Sequence, residues 1–358
     1  MMVIRSANTN QYKSSCKDTT LTEIMLEFVR SSIFSFPAKI DSANVIDWDK
    51  LFDISVSHEL IAFVWDGVCL SHLENQLSRQ QRISWGLSAQ EIYDQYYKCE
   101  KSLKLILDIC NKNNIRLLLL KGIGLSKLYP QNCYRCCKDI DIYLFEDYAM
   151  GNKLLANDDY KWQGKHSIFQ FEGVTIENHL FFFQLDTKRK RLFNKYIESS
   201  LKDVTLTDDG YYVLSPISNL VFLALHALKH CSKDHLIPYK GIFDFGLYLY
   251  RYYNELDPRS CNKVLSELKI VKSFVVLVCL SEVFLGIEFK DYHFKKVSDI
   301  DIRQIVGLFI RDRSSQQSRL VDRINHHLAY QKLMKYIPRN SKYRTILHRR
   351  LIEMIKHN

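Results

Sequence analysis

The chain has 358 residues, 50 Lys and Arg against 40 Asp and Glu, a net charge of +10, and 47% hydrophobic residues. That length suffices for two or three domains with a substantial core, and 12 Gly with 6 Pro exclude a low-complexity or disordered chain. No apolar run is long enough to cross a bilayer: the longest, Ser273 to Ile287, is broken by Ser281 and Glu282 and suits a buried helix. Residues 1–15 are polar and lack the apolar centre of a secretory signal, so the expected compartment is the cytoplasm. The 10 cysteines are too sparse for a disulfide framework, and most sit in apolar helical contexts as small hydrophobes.

In chain order, Leu21, Ile24, Met25, Phe28 and Val29 keep helical spacing, and Asp47 is the N-cap of a second helix. A long helix is expected over Ser88–Asn111, which completes an N-terminal helical region with no evident chemistry. Trp48 and His58 within it read as packing residues. Residues 115–121 form an apolar run that reads as a buried strand. Gly122 then opens a short helix to Leu128, stopped by Pro130. A second strand is expected over 139–145. Ser167–Phe171 and Val174–Leu180 read as a hairpin about Glu172-Gly173, with Val174, Ile176 and Asn178 on one face and Thr175, Glu177 and His179 on the other. Helices return over 213–254, where Pro216 suits a first turn of a helix running through His230, and continue over 259–288, 301–335 and 341–357.

Chemistry concentrates in residues 118–144. Asp139 and Asp141 at i and i+2 on a strand share a face, while Ile140 and Ile142 take the other. Two carboxylates so close need a cation between them, and Mg2+ takes one or two carboxylates plus substrate phosphates. Asp is disfavoured in strands, so a pair inside an apolar one calls for a reason. Glu177, on an adjacent strand, would complete a metal site or help deprotonate a nucleophile. Gly122 would let backbone amides approach phosphate, and Lys121 and Arg135 would neutralise triphosphate charge, Arg135 alternatively buttressing the loop before the aspartates. Cys133, Cys136 and Cys137 lack a fourth zinc ligand and read as thiols in a turn. His226 and His230, at i and i+4 with Lys229 beside them, would line a cleft and touch the nucleotide, or form a packing face; Asp244 would orient one of them or cap a helix.

These motifs resemble the bacterial group described as uncharacterised nucleotidyltransferases, within the superfamily that shares the DNA polymerase β catalytic fold. The group's pattern is Lys-Gly after an apolar strand, then Arg-x-x-x-Asp-x-Asp, then Glu-x-His, then a His-Ala-x-x-His helix with a downstream Asp. This chain carries Lys121-Gly122, Arg135 to Asp139-Ile140-Asp141, Glu177-Asn178-His179, His226-Ala227-Leu228-Lys229-His230 and Asp244, and also Asp47-Trp48 followed by His58. The likeness spans roughly residues 20–290. It departs at the turn, where Gly122-Ile123 replaces the superfamily's usual Gly-Ser or Gly-Gly and omits a serine contact to phosphate. The resemblance implies Mg2+- or Mn2+-dependent transfer of a nucleoside monophosphate from an NTP, ATP first among them, to an acceptor hydroxyl that it does not name. His179 joins the site candidates on the same ground.

The expected architecture is therefore α+β: a small mixed-sheet nucleotidyltransferase core at 112–212, a helical region at 1–111, a helical substrate side at 213–300, and a basic helical tail at 301–358. The tail holds 13 Lys/Arg against 4 Asp/Glu. It reads as a solvated face or as a surface for nucleic acid. Two other functions fit the same residues: a catalytically silent nucleotide-binding regulator, suggested by the Gly122-Ile123 turn, and a polyanion-binding protein working through the tail.

Overall fold

The computed structural model describes residues 20–40, 45–234, 238–289 and 305–306, with the backbone alone for 230–234. The His230 side chain and the basic tail, apart from Ile305 and Val306, lie outside the described residues. The tail helices expected over 301–335 and 341–357 therefore also fall outside them.

Four helices come first. Helix α1 (Leu21–Phe34) starts on a reciprocal cap: Glu23 N donates to Thr20 Oγ1, and Thr20 N donates to the Glu23 carboxylate. Helix α2 (Trp48–Ser57) is capped by Asp47, whose carboxylate accepts from Lys50 N, as its position in the sequence implied. Helix α3 (Ile61–Leu70) passes so close to α1 that a Cβ at Gly67 would stand 2.2 Å from the Phe28 carbonyl oxygen. Helix α4 (Arg79–Lys112) begins well before the expected Ser88, because its opening turn, Arg79-Gln80-Gln81-Arg82, is polar and carries no apolar stripe. Trp48 packs as expected, its ring 6.3 Å from Phe28 and 6.2 Å from Trp85. His58, expected to pack, is instead exposed at the C-terminal end of α2.

The sheet has seven strands in the order β3-β4-β5-β2-β1-β7-β6 and is mixed. The strands are β1 (Leu118–Leu119), β2 (Asp139–Tyr143), β3 (Lys161–Trp162), β4 (His166–Phe171), β5 (Val174–His179), β6 (Thr205–Leu206) and β7 (Tyr212–Val213). The apolar run expected to be a strand over 115–121 pairs only at Leu118–Leu119. Flanking bonds, Tyr212 N to Leu117 O at 2.7 Å and Leu120 N to Asp141 O at 3.2 Å, still tie its ends to the neighbours on both sides. Strands β2 and β5 are parallel, and β4 and β5 form the expected antiparallel hairpin. Its turn, Glu172-Gly173, has φ of 50° and 72°, the paired left-handed geometry that suits the twist of two strands joined by two residues. Helix α5 (Ile123–Ser126) is a single turn between β1 and β2, α6 (Tyr148–Ala156) follows β2, and α7 (Lys188–Ser200) follows β5.

Strand alternation then divides the sheet. Ile140, Ile142, Val174, Ile176 and Phe169 join Cys99, Leu103, Ile106, Leu107 and Cys110 of α4 in one buried cluster. Burying such side chains stabilises by roughly 1.5–3 kcal/mol each. Asn178 shares the buried face, where its Nδ2 donates to Asn152 Oδ1 at 2.9 Å, and Ser167 Oγ donates to the same oxygen at 2.9 Å, fixing α6 against the hairpin. The opposite face is left for polar side chains.

Helices α8 (Pro216–Asp234), α9 (Tyr239–Tyr252), α10 (Pro258–Glu267) and α11 (Val271–Leu285) complete the described elements. The chain forms two compact units: one from Asp18–Leu223 and Leu247–Leu256, the other from described residues within Ala224–Gly246 and Asp257–Asn358. The sheet lies wholly in the first. In the second, the Phe245 ring meets that of Phe274 edge-on at 5.2 Å, and Ser281 Oγ donates to Ile242 O at 3.3 Å, seating α11 against α9. Among the described residues no helix is long and apolar enough to cross a membrane.

Candidate functional site

The register of β2 and β5 places Asp139 beside Thr175 and Asp141 beside Glu177 on the polar face of the sheet. Carboxylate oxygens of Asp139, Asp141 and Glu177 lie within 4.8 Å of one another. Asp141 is fully buried. Its Oδ2 is 2.6 Å from Lys121 Nζ, and its Oδ1 is 3.0 Å from His179 Nε2. Gly122, the next residue after Lys121, has φ 64° and ψ −123°, a region that only glycine enters without strain. A Cβ there would sit 3.3 Å from the Asp139 main-chain carbonyl oxygen and 3.9 Å from Asp141 Oδ2, so the turn lies against the β2 backbone and the Asp141 carboxylate. The expected helix over Gly122–Leu128 is a single turn, Ile123–Ser126, too short to carry a useful dipole.

Electrostatics holds Asp141 and Glu177 ionised. Burial opposes charge on Asp141, but the Lys121 ammonium and the His179 hydrogen bond outweigh it and hold its carboxyl at about 2. Burial also opposes charge on Glu177; hydrogen bonds from His166 and His179 and the field of Lys121 prevail, and its carboxyl lies far below the usual carboxylate range. Burial disfavours the Lys121 ammonium too, yet Asp141, Asp139 and Glu177 attract it enough to raise it above an ordinary lysine.

Beside the carboxylates lies a group that the sequence reading missed. His166, on β4 opposite His179, brings its Nδ1 to 3.0 Å from Glu177 Oε2 and 3.4 Å from His179 Nε2. Lys165 Nζ stands 3.0 Å from His166 Nδ1 and 4.0 Å from Glu177 Oε2. Burial foremost lowers the His166 pKa below an ordinary histidine. The signal was present: a two-residue turn at Glu172-Gly173 pairs residues symmetrically about itself, which sets His166 across from His179.

Of the sequence candidates, Lys121, Gly122, Asp139, Asp141, Glu177 and His179 come together here. Arg135 is buried, and its guanidinium donates to Cys136 O and Cys137 Sγ, both at 3.4 Å, within the loop that leads to β2. Cys136 and Cys137 are buried beside it, and Cys133 is half-buried. His226 and Lys229 are half-buried on α8, and Asp244 is buried on α9; all three belong to the second unit.

The α+β fold thus brings three carboxylates together on its central parallel strand pair, a group that could hold a metal ion. The chain belongs to the family described as uncharacterised nucleotidyltransferase, whose model matches residues 44–286. Membership makes the protein a transferase and points to nucleotidyl transfer from an NTP, in a family that typically uses divalent metals. No curated protein matches the chain, and no solved structure does.

Proposed function

We propose that this protein moves a nucleoside monophosphate from a nucleoside triphosphate, ATP first among them, to an acceptor hydroxyl, with pyrophosphate leaving. The observation that carries the reading is the convergence of the Asp139, Asp141 and Glu177 carboxylates beside Gly122. An all-oxygen donor set suits a hard cation, so Asp139, Asp141 and Glu177 would hold Mg2+ or Mn2+. When bound, that ion supplies charge stabilisation at the attacking and leaving oxygens of an in-line displacement.

The chain's own residues supply the rest. Glu177 stays ionised to far below neutral pH, which suits an anionic ligand and makes it a weak proton acceptor. Lys121, paired with Asp141 as the structure stands, is the nearest cation to balance a triphosphate. Gly122 leaves room for phosphate oxygens against the main chain. Arg135 serves by bracing the loop that delivers Asp139. For His226, Lys229, His230 and Asp244, a role toward the nucleotide rests on the sequence pattern.

Calorimetric titration of the full chain with ATP, GTP, CTP and UTP, with and without Mg2+, tests the reading. NTP binding that needs Mg2+ and weakens in Asp139→Asn supports it; binding indifferent to both would overturn it.

A further inference from the structure

We infer that the chain has a second cation site, formed by His166 Nδ1, His179 Nε2 and Glu177 Oε2, which takes a borderline divalent transition metal of the Zn2+ class. This goes beyond the transferase reading and does not depend on it. The three ligand atoms lie within 4.8 Å of one another, and both imidazoles are almost wholly buried at 4% and 1% exposure. Two imidazoles and one carboxylate form a donor set that Mg2+ disfavours and Zn2+, Co2+ or Ni2+ prefer.

Proton bookkeeping at the cluster points the same way. His166 Nδ1 is 3.0 Å from the Lys165 ammonium, which only donates, and 3.0 Å from the Glu177 carboxylate, which only accepts. One ring nitrogen cannot accept from the first and donate to the second at once, so one short contact is mismatched in either tautomer. A metal ion removes the conflict, because it takes lone pairs from both rings and from the carboxylate. A second observation fits that arrangement. With a metal on Nε2 in place of its hydrogen bond to Asp141 Oδ1, the His179 proton sits on Nδ1, which is 3.3 Å from Phe181 O and can donate to this backbone carbonyl, the outer contact that fixes a ligating imidazole.

Lys165 Nζ occupies this electron-rich pocket as the native counter-cation, and its flexible stem lets it withdraw when a metal enters. Glu177 belongs to both groups of candidate ligands, so occupancy here competes for its carboxylate with Asp139 and Asp141.

Titration of the full chain with Co2+, followed by visible absorption, tests the inference. A single equivalent should produce the d–d bands of a nitrogen-containing site. The bands should persist in Asp139→Asn and vanish in His166→Gln. Lys165→Met removes no ligand but removes a competing charge, and should bind Co2+ roughly tenfold more tightly. No such bands in the wild type, equal or weaker affinity in Lys165→Met, or bands that need Asp139 rather than His166 would overturn the inference. Bands intact in the wild type, together with no nucleotidyl transfer by that same wild-type chain, would count against the transferase reading alone.

Discussion

The Lys121–Asp141 pair offers the deepest energetic test. Its charges stand 2.6 Å apart, with Asp141 fully buried and Lys121 mostly so. At an effective permittivity of about 20 the attraction is about 6 kcal/mol, from which the desolvation of both ions must be subtracted. The Asp141 carboxyl at about 2, against 3.8 for an ordinary aspartate, gauges the net benefit of its surroundings at about 2 kcal/mol. A folded-state pKa below the unfolded one stabilises above the unfolded value, so this contribution is present above pH 3.8 and is lost as pH falls toward about 2. Asp141→Asn leaves the Lys121 ammonium buried with only Asp139 and Glu177 nearby, and should cost about 3 kcal/mol. Lys121→Met should cost about 2 kcal/mol, because His179 still bonds Asp141. The double variant should cost less than the sum of the two, with a coupling of about 2–3 kcal/mol. Urea unfolding followed by tryptophan fluorescence measures this cleanly, since Trp48, Trp65, Trp85 and Trp162 all lie in the unit that holds the sheet. Additive costs would refute the idea that this ion pair organises the site.

Other perturbations separate the site from its scaffold. Asp139→Asn should lower transfer by roughly 100-fold or more, as expected for removing a metal ligand, with little change in urea midpoint. Gly122→Ala forces a side chain into left-handed backbone against Asp139 O; it should cost about 1–3 kcal/mol by the same unfolding assay and depress turnover with it. Gly67→Ala drives a methyl into the Phe28 backbone and should destabilise by about 3 kcal/mol or unfold the α1–α3 contact, with the site's chemistry untouched wherever the protein still folds. Below pH 6.5, the depressed His166 pKa makes the unfolded chain bind the extra proton first, so stability should fall with acidification until the folded pKa is passed. His166→Gln should remove that slope in a pH series of urea midpoints; an unchanged slope would count against the buried neutral ring.

The sequence made the heart of this arrangement legible because its cues are local. Two aspartates in an apolar strand, a Glu-Gly turn between alternating arms, and Asp47 before a helix each carry their meaning within a few residues. The flanking helices followed from apolar spacing, and the mixed sheet from the family resemblance. Long-range facts were harder to read. The β1 run is apolar along its whole length, and only pairing with β2 and β7 decides that Leu118–Leu119 is the strand proper. Strands β3, β6 and β7 are two residues each, too short to show alternation. Helix α7 opens with Lys188-Arg189-Lys190-Arg191, a start that the helix dipole disfavours and that hides its N-terminus. His166 was overlooked because its significance lies in the residue across the hairpin, and His58 resembled a packing residue until its exposure was known.

The most direct test of the central claim is label transfer from α-labelled NTP into cell extract by the full chain, with pyrophosphate release followed in parallel and the Asp139→Asn variant run alongside. The account predicts divalent-metal-dependent labelling of an acceptor, release of pyrophosphate, and loss of both in the variant. Labelling that persists unchanged in Asp139→Asn would contradict it, because the carboxylates on the β2–β5 pair would then have no part in the chemistry.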